Sequence, residues 1–565
     1  MILALMEKRN QLKVRSLSST SGEPELCYYS KTLYYDEEKV ASWINSLHAP
    51  IDIDTQKVTD WISRFCSIRR LTLSQEQAEA VGQVVRHRFS VLTGGPGCGK
   101  TTTTLVIVRL LEAMRQKVLL AAPTGRAAQR MGEVIGREAK TLHRLLEWQG
   151  GGFVRNEENP LQADFLIVDE CSMLDISLTA SLLSAVPGDC RVLFIGDADQ
   201  LPSVGAGNVL RDIITSGVVP CFCLTQVFRQ ARESHIISFA HQINRGEVPQ
   251  IESPFKRPEI WQNGTDCLFI DSDEPTKEQM DFISRVKRTF NLQIPQLEGL
   301  TTSDNPYEFR AHEAIGSPYE KEFMVPPKFQ HVDLQKVAQA KGTIDELRSV
   351  VKKVHPWSTL HYALTAVDTV VKLYLEWIPK YYGRKSEIQI LSPMTRGTLG
   401  TTNLNRVIQQ AANPPRDDKP QVQVGERIFR VGDRVIHRRN NYDLEVFNGD
   451  IGTIKQIDTA ELTCVVAFFP DSREVMYQKD DIVELDLAYA ITIHKSQGSE
   501  FKAVILPVLT QHFKMLYRNL IYTGLTRARE LAVIVGTRRA MVMAIRQQDT
   551  CNRQTALEAL LREPQ

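Results

Sequence analysis

The run from Val91 to Thr104, VLTGGPGCGKTTTT, sets Gly94, Gly99, Lys100 and Thr101 at the spacing glycine, four residues, glycine-lysine-threonine. Such a run can cradle phosphate, because glycines let backbone amides turn inward on phosphate oxygens at a helix N-terminus. Lys100 then reaches the β- and γ-phosphates and the Thr101 hydroxyl is placed for Mg²⁺, with Gly95, Gly97, Cys98 and Thr102 completing the loop. Taken alone, the loop also reads as a glycine turn before a surface helix. A second stretch decides between the two. Phe165–Glu170, FLIVDE, is an apolar strand ending in two carboxylates. Asp169 would hold Mg²⁺ through its water shell, and Glu170 would polarise the attacking water as general base. Gln200, in RVLFIGDADQLPSVGAG (191–207), stands where an amide senses the γ-phosphate and the water, and Arg229, in LTQVFRQ, is a candidate γ-phosphate ligand. Upstream, Gln77 carries an amide able both to donate to and to accept from an adenine edge, although a helix glutamine is more often solvated. The chemistry these residues point to is Mg²⁺-dependent hydrolysis of ATP.

Other residues suit a polyanion. Pro123-Thr124-Gly125 makes a loop between a short apolar strand (118–122) and a helix, where amides and a hydroxyl can hold a nucleic-acid phosphate; a plain strand–helix turn is the simpler reading. Thr141–Leu146, which includes His143, reads equally as a helix start or as a second phosphate contact. Trp148–Arg155 has a glycine turn between aromatic flanks and predicts a small β-hairpin. Arg434, His437, Arg438 and Arg439 form a basic cluster, either a solvated face or a contact with a nucleic-acid backbone. Ile491–Gly498 brings hydroxyls and His494 into the same region of sequence.

Each of these groups needs an element to hold it. Short apolar strands at 89–92, 118–122, 165–168 and 387–392 alternate with helical runs, an α/β pattern. Ser74 is an N-cap for the helix that carries Gln77. Asp36–Leu47 predicts an amphipathic helix with Val40, Trp43, Ile44 and Leu47 on its packed face. Phe429–Glu484 alternates short strands with turns at Val431-Gly432-Asp433 and Asn448-Gly449-Asp450, which predicts a small β-barrel. Residues 366–383 read as helix, 413–418 as loop and 541–561 as a helical tail. From Asp271 to about Ser358 the chain mixes helix with irregular loops: PTKEQMDFISRVKRTF, a polar stretch at Asn305-Pro306-Tyr307, a break at Val325-Pro326-Pro327, and DELRSVVKKV. This stretch is a surface elaboration or a partner-docking module.

With 565 residues the chain needs more than one core. Its net charge of +1 provides no global field for nucleic acid, so any contact must come from a local groove. The ten cysteines are scattered, with Cys221 and Cys223 the nearest pair and no paired CxxC, which points to reduced thiols and a cytoplasmic protein. The apolar run at the N-terminus is too short for a signal peptide, and no run is long enough to span a bilayer, so no membrane partner is expected.

In order along the chain, GGPGCGKTTT, APTGRAAQRM, FLIVDECSML, GDADQLPSVGAG and LTQVFRQ resemble the motifs of superfamily 1 DNA helicases of the RecD-like group. The second half agrees, with LSPMTRGTLGTTNLN (391–405), RVGDRVIHRRNNYDLEVFNGDIGTI (430–454), AYAITIHKSQGSEFKAVI (488–505) and NLIYTGLTRARE (519–530). The resemblance covers about 71–272 and 365–540 and is nearer the stand-alone members than the RecD subunit of the RecBCD nuclease, chiefly through NNYDLEVFNGD. It implies two RecA-like phosphate-loop domains with parallel sheets, ATP in the cleft between them, single-stranded DNA across the top and 5′→3′ translocation. It implies an N-terminal region at 1–70, a first RecA-like domain at 71–245 with a strand-separating pin hairpin at 146–164, and a linker with an unusual insertion at 246–365. A second RecA-like domain would occupy 366–428 and 486–565, interrupted by the barrel at 429–485. By motif match Arg527 would be an arginine finger, and Gly498 and Glu500 would link the nucleotide to DNA. Pro123, Thr124, His143, Arg396, Asn448 and His494 would contact DNA. The implied partners are single-stranded DNA and its junctions with duplex, with a single-strand-binding protein or nuclease subunits beside them, in repair or recombination. A RecD-type subunit active only within a nuclease, an RNA-directed translocase and an ATP-switched DNA-binding scaffold remain as alternatives. The start of the chain reads as abrupt, as if a domain preceded it.

Overall fold

A computed structural model describes residues 2–18, 24–47, 51–228, 233–254, 258–261, 264–272, 277–291, 325–330, 332–340, 365–383, 387–441, 443–469, 472–548 and 553–563. Two parallel sheets dominate it. The first has six strands in the order Cys221–Leu224, Phe89–Gly94, Arg191–Gly196, Phe165–Val168, Val118–Ala122 and Ala139–Thr141. Their near-continuous apolar sequences follow from burial on both faces, as parallel sheets require. The second sheet has five strands, Cys267–Asp271, Ala528–Gly536, Phe501–Val508, Ile388–Ser392 and Ala490–Thr492, again all parallel. Its edge strand Cys267–Asp271 falls in the stretch expected to be linker; the apolar sequence CLFID pairs with Ala532–Gly536 and so extends the second domain toward the N-terminus.

The predicted barrel is a five-stranded antiparallel sheet running from Arg434 to Leu487, with a hairpin of Gln421–Val424 and Arg427–Arg430 beside it. The predicted pin is present as two-residue strands, Trp148–Gln149 and Gly152–Phe153, whose rings meet at 4.8 Å. Of the insertion, the helix Lys277–Asn291 packs Phe282, Ile283 and Val286 against Phe329, Val332 and Val337 in a small core of its own. Asn305-Pro306-Tyr307 and DELRSVVKKV lie outside the described residues.

The N-terminal helix spans Lys31–Asn45, capped by Ser30, and begins earlier than its apolar pattern suggests. Val40, Ala41 and Ile44 share one core with Phe89, Leu182, Ile213, Leu557 and Leu561. Residues 31–45 and 553–563 therefore complete the first domain. The expected boundary that put 553–563 with the second domain is corrected by this packing, in which each buried leucine contributes about 1.5–3 kcal/mol. The expected helical tail is two helices, Arg538–Arg546 on the second domain and Leu557–Arg562 on the first. Among the described residues no helix is long and apolar enough to cross a membrane.

Candidate nucleotide cleft and nucleic-acid groove

Strand Phe89–Gly94 delivers the glycine loop, and the helix Lys100–Ala113 leaves it. Gly99, the N-cap, has φ +78°, and a Cβ there would collide with the Gln77 amide and the Phe228 ring. Only glycine allows so close an approach in that conformation. The Lys100 ammonium donates to the carbonyls of Gly94 and Gly95, so the lysine already lies across the loop mouth. Asp169 and Glu170 follow strand Phe165–Val168, and the Glu170 amide donates to Asp169 Oδ1 at 2.7 Å. Burial, and then the neighbouring Glu170, raise the Asp169 carboxyl well above its ordinary pKa. A divalent cation in contact with it would reverse that shift.

One cavity of about 460 Å³ collects these groups. Lys100, Thr101, Asp169, Glu170 and Gln200 line it from the first domain, and Gly498, Glu500 and Arg527 from the second. The residues suit a nucleoside triphosphate with Mg²⁺. A lysine and a helix N-terminus face two carboxylates, and no described atom hydrogen-bonds Oε1 of the buried Gln200. Thr101 and Asp169 would hold the cation. Arg527 is buried; its Nε and Nη1 donate to the carbonyls of Thr523 and Ser499, each at 3.3 Å. Arg229 lies outside the described residues.

Gln77, expected to meet adenine, lies beside the phosphate loop. Its side chain closes a capping box with Ser74, and its Nε2 donates at 3.3 Å to the carbonyls of both Cys98 and Gly99. Fully buried, the amide is committed to the phosphate loop. Cys98 is buried as well and its thiol pKa is raised by burial, which makes it packing rather than a reactive thiol.

Several residues missed in the sequence join the two halves. Asp197 accepts from the Tyr522 hydroxyl at 2.7 Å, the Leu201 amide donates to Thr523 Oγ1 at 2.9 Å, and Gln497 Nε2 donates to the Leu201 carbonyl at 2.7 Å. Arg130 pairs with Glu500 across the cleft at 2.5 Å, and His241 Nε2 lies 3.3 Å from the Pro96 carbonyl. Asp197 and Leu201 sit in the GDADQLPS motif and Arg130 in APTGRAAQRM, which were the available signals; His241 had none.

A groove of about 390 Å³ is lined by Pro123, Thr124, His143, Asn448 and His494. Five of the six residues expected to touch DNA thus share one surface; Arg396 is exposed in the turn after strand Ile388–Ser392, away from the groove lining. Arg126, not singled out in the sequence, also lines it, with Nε and Nη2 buried and unbonded among the described residues. The loop Ser203–Gly205 forms another wall, and Val204 there is 85% exposed. Gly498 links groove and cleft: at φ +71° its Cα position would put a Cβ 2.6 Å from Thr124 Oγ1. The expected basic face of the barrel is largely absent. His437 is buried against Tyr477 and Glu484, Arg434 bonds Gln389 at 3.0 Å, and Arg438 pairs with Asp486 at 3.3 Å.

Comparison with known proteins agrees with this geometry. Three domain families match: an AAA domain over residues 77–206, the ATP-dependent RecD-like DNA helicase SH3 domain over 404–468, and the UvrD-like helicase C-terminal domain over 487–535. The ATP-dependent RecD2 DNA helicase of Deinococcus radiodurans is 33% identical over 517 residues, 91% of this chain and 56% of that protein. By these matches the chain resembles the RecD-like group of superfamily 1 helicases. Another RecD-like relative, the RecBCD enzyme subunit RecD of Haemophilus influenzae, is 26% identical over 90% of this chain and 73% of its own length. The chain thus spans just over half the length of the Deinococcus relative. Among solved structures, Bacteroides Pif1 bound to ssDNA aligns at 17% identity and a TM-score of 0.41, over 82% of this RecD-like chain and 92% of that one.

Proposed function

We propose that this chain is the motor of an ATP-dependent DNA helicase that moves 5′→3′ on single-stranded DNA and separates duplex, in DNA repair or recombination. The observation that carries the proposal is the single cavity lined by Lys100, Asp169, Glu170 and Gln200 of one domain and Arg527 of the other. In this reading the loop amides and Lys100 bind the β- and γ-phosphates. Mg²⁺, held by Thr101 and Asp169, supplies charge neutralisation at the phosphates. Glu170 accepts the proton of the attacking water, Gln200 orients that water, and Arg527 neutralises charge developing on the γ-phosphoryl group once the cleft closes. Closure works through Tyr522 and Thr523, which bond the first domain's Asp197 and Leu201 and lie on the helix just before Arg527. Hydrolysis is thereby tied to the relative motion of the two domains. The groove beside the cleft takes single-stranded DNA, and the aromatic hairpin Trp148–Phe153 meets the duplex junction.

Strand separation on a 5′-tailed and a 3′-tailed duplex tests this, with ATP and Mg²⁺ present and Lys100→Ala as the control. Unwinding of the 5′-tailed duplex alone is expected. Unwinding of the 3′-tailed duplex alone would overturn the polarity. ATP-dependent DNA binding without unwinding would favour the scaffold, and stronger competition by RNA than by DNA the RNA translocase.

A further inference from the structure

We infer that residues 553–563 are a strap that positions the wall of the nucleic-acid groove, with Arg553 as its positioning residue. This rests on the reading of the groove as the single-stranded DNA site. Among the described residues Arg553 bonds one loop: Nη1 donates to Ser203 Oγ at 3.4 Å, Gly205 O at 2.7 Å and Gly207 O at 2.8 Å, and Nη2 donates to Ser203 O at 2.6 Å. Three backbone carbonyls of a short turn are thereby drawn to one planar guanidinium, a geometry that a lysine's single ammonium does not reproduce. The loop so held is the one that lines the groove with Ser203, Val204 and Gly205 and presents Val204 outward. It follows directly on Gln200 and Leu201, which bond the second domain through Asn519, Thr523 and Gln497. The loop is therefore fixed at one end by the interdomain contacts and at the other by the strap.

The strap is itself fastened to the first domain. The Thr555 hydroxyl lies 3.0 Å from Glu37 Oε1 and 2.9 Å from Asp212 Oδ2, and the Ala556 amide donates to Glu37. Leu557 and Leu561 are buried in the core beside Ile44 and Ile213, Asn45 Nδ2 donates to the Leu560 carbonyl, and Arg562 donates to the carbonyls of Thr215 and Ser216. Arg553 also lies close enough to depress the pKa of the groove's His494, behind burial as the larger cause. Residues expected to belong to the second motor domain thus set the shape of the first domain's DNA surface.

The test measures binding of a fluorescent oligo-dT, and ATP turnover against oligo-dT concentration, for the full chain and for Arg553→Ala. The expected result is a DNA dissociation constant raised about tenfold, with turnover at saturating DNA within about twofold of the parent. The slope of log affinity against log salt should be unchanged, since a guanidinium that contacted a phosphate directly would reduce it by about one on removal. Arg553→Lys should recover little of the loss and provides the measurement if Arg553→Ala does not fold. Parent-like affinity in both variants, or a salt slope reduced by one, would overturn the inference. A parent chain that neither binds oligo-dT nor responds to it would instead overturn the reading of the groove.

Discussion

The two parallel sheets share an architecture and divide the chemistry unequally. In the first, strand Phe89–Gly94 ends in a glycine loop whose N-cap Gly99 has φ +78° and whose lysine lies at the mouth. In the second, the buried strand Ile388–Ser392 ends in the turn Pro393–Gly400, where the Ser392 hydroxyl donates to the Leu399 carbonyl at 2.6 Å and no lysine stands. The second turn closes on itself and the first stays open to a ligand. A parallel sheet therefore supplies a platform, and the residues immediately after its strands decide whether the platform binds phosphate. The second domain contributes to the cleft late in its sequence, through Gly498, Glu500 and Arg527. It acts there as a lever on a site that the first domain builds.

If that division is right, the largest effect belongs to the first sheet. Lys100→Ala should lower ATP turnover by at least about a thousandfold, measured by phosphate release; turnover near the parent value would break the asymmetry outright. Arg527→Ala should bind ATP within a few-fold of the parent and hydrolyse it about a hundredfold or more slowly, read by equilibrium binding beside steady-state rates. Equal losses of binding and rate would assign Arg527 to the ground state rather than to closure. Gly498→Ala forces a Cβ toward Thr124 Oγ1 at a positive φ, at a cost of about 1–2 kcal/mol. DNA stimulation of turnover should fall about tenfold, since the contact that opens between the domains is the one joining groove and cleft. Tyr522→Phe leaves Asp197 without that hydroxyl and should cost about 2 kcal/mol in thermal or denaturant stability, with a smaller loss of turnover.

The smallest effect concerns pH. Burial, with help from Glu37 and Glu558 and against the Thr555 bond and Arg211, pushes Asp212 up to about 7; burial also raises Glu37, against its bonds to Ala556 and Thr555 and the charge of Arg15. A carboxyl whose pKa is raised on docking binds more protons when docked. The strap is therefore held more tightly below about pH 4–7 than above it, and docking weakens as pH rises through 7. Hydrogen-exchange protection of residues 553–563 should fall between pH 6 and pH 8, and Asp212→Asn should flatten that change.

The phosphate loop, the acidic pair and the alternation of strand and helix were legible because each is a local pattern, with periodicity and spacing that survive without knowledge of neighbours. The groove was legible in part. Pro123, Thr124, His143, Asn448 and His494 were separate in sequence, and only the fold brings them to one surface. What failed to show were contacts between distant segments. The Gln77 amide donates to carbonyls more than twenty positions away. The basic cluster at 434–439 looked solvated or DNA-facing, yet its partners Glu387, Gln389, Glu484 and Asp486 belong to other elements. Arg553 carried no local signal, and the motif that holds Arg130 did not name its partner, since the groups they meet lie hundreds of positions apart.

The packing of Leu557 and Leu561 also bears on the order in which the chain is made. Strand Cys221–Leu224, the latest of the first sheet in sequence, leaves the ribosome roughly 330 residues before these leucines do. At roughly 5–20 residues per second that interval lasts tens of seconds. Throughout it, the helix Lys31–Asn45 and residues around Ile213 have synthesised neighbours on every side but one. The first domain is completed only after the second has been made, and a nascent chain halted anywhere in the second domain leaves the apolar seam at Ile44 and Ile213 uncovered.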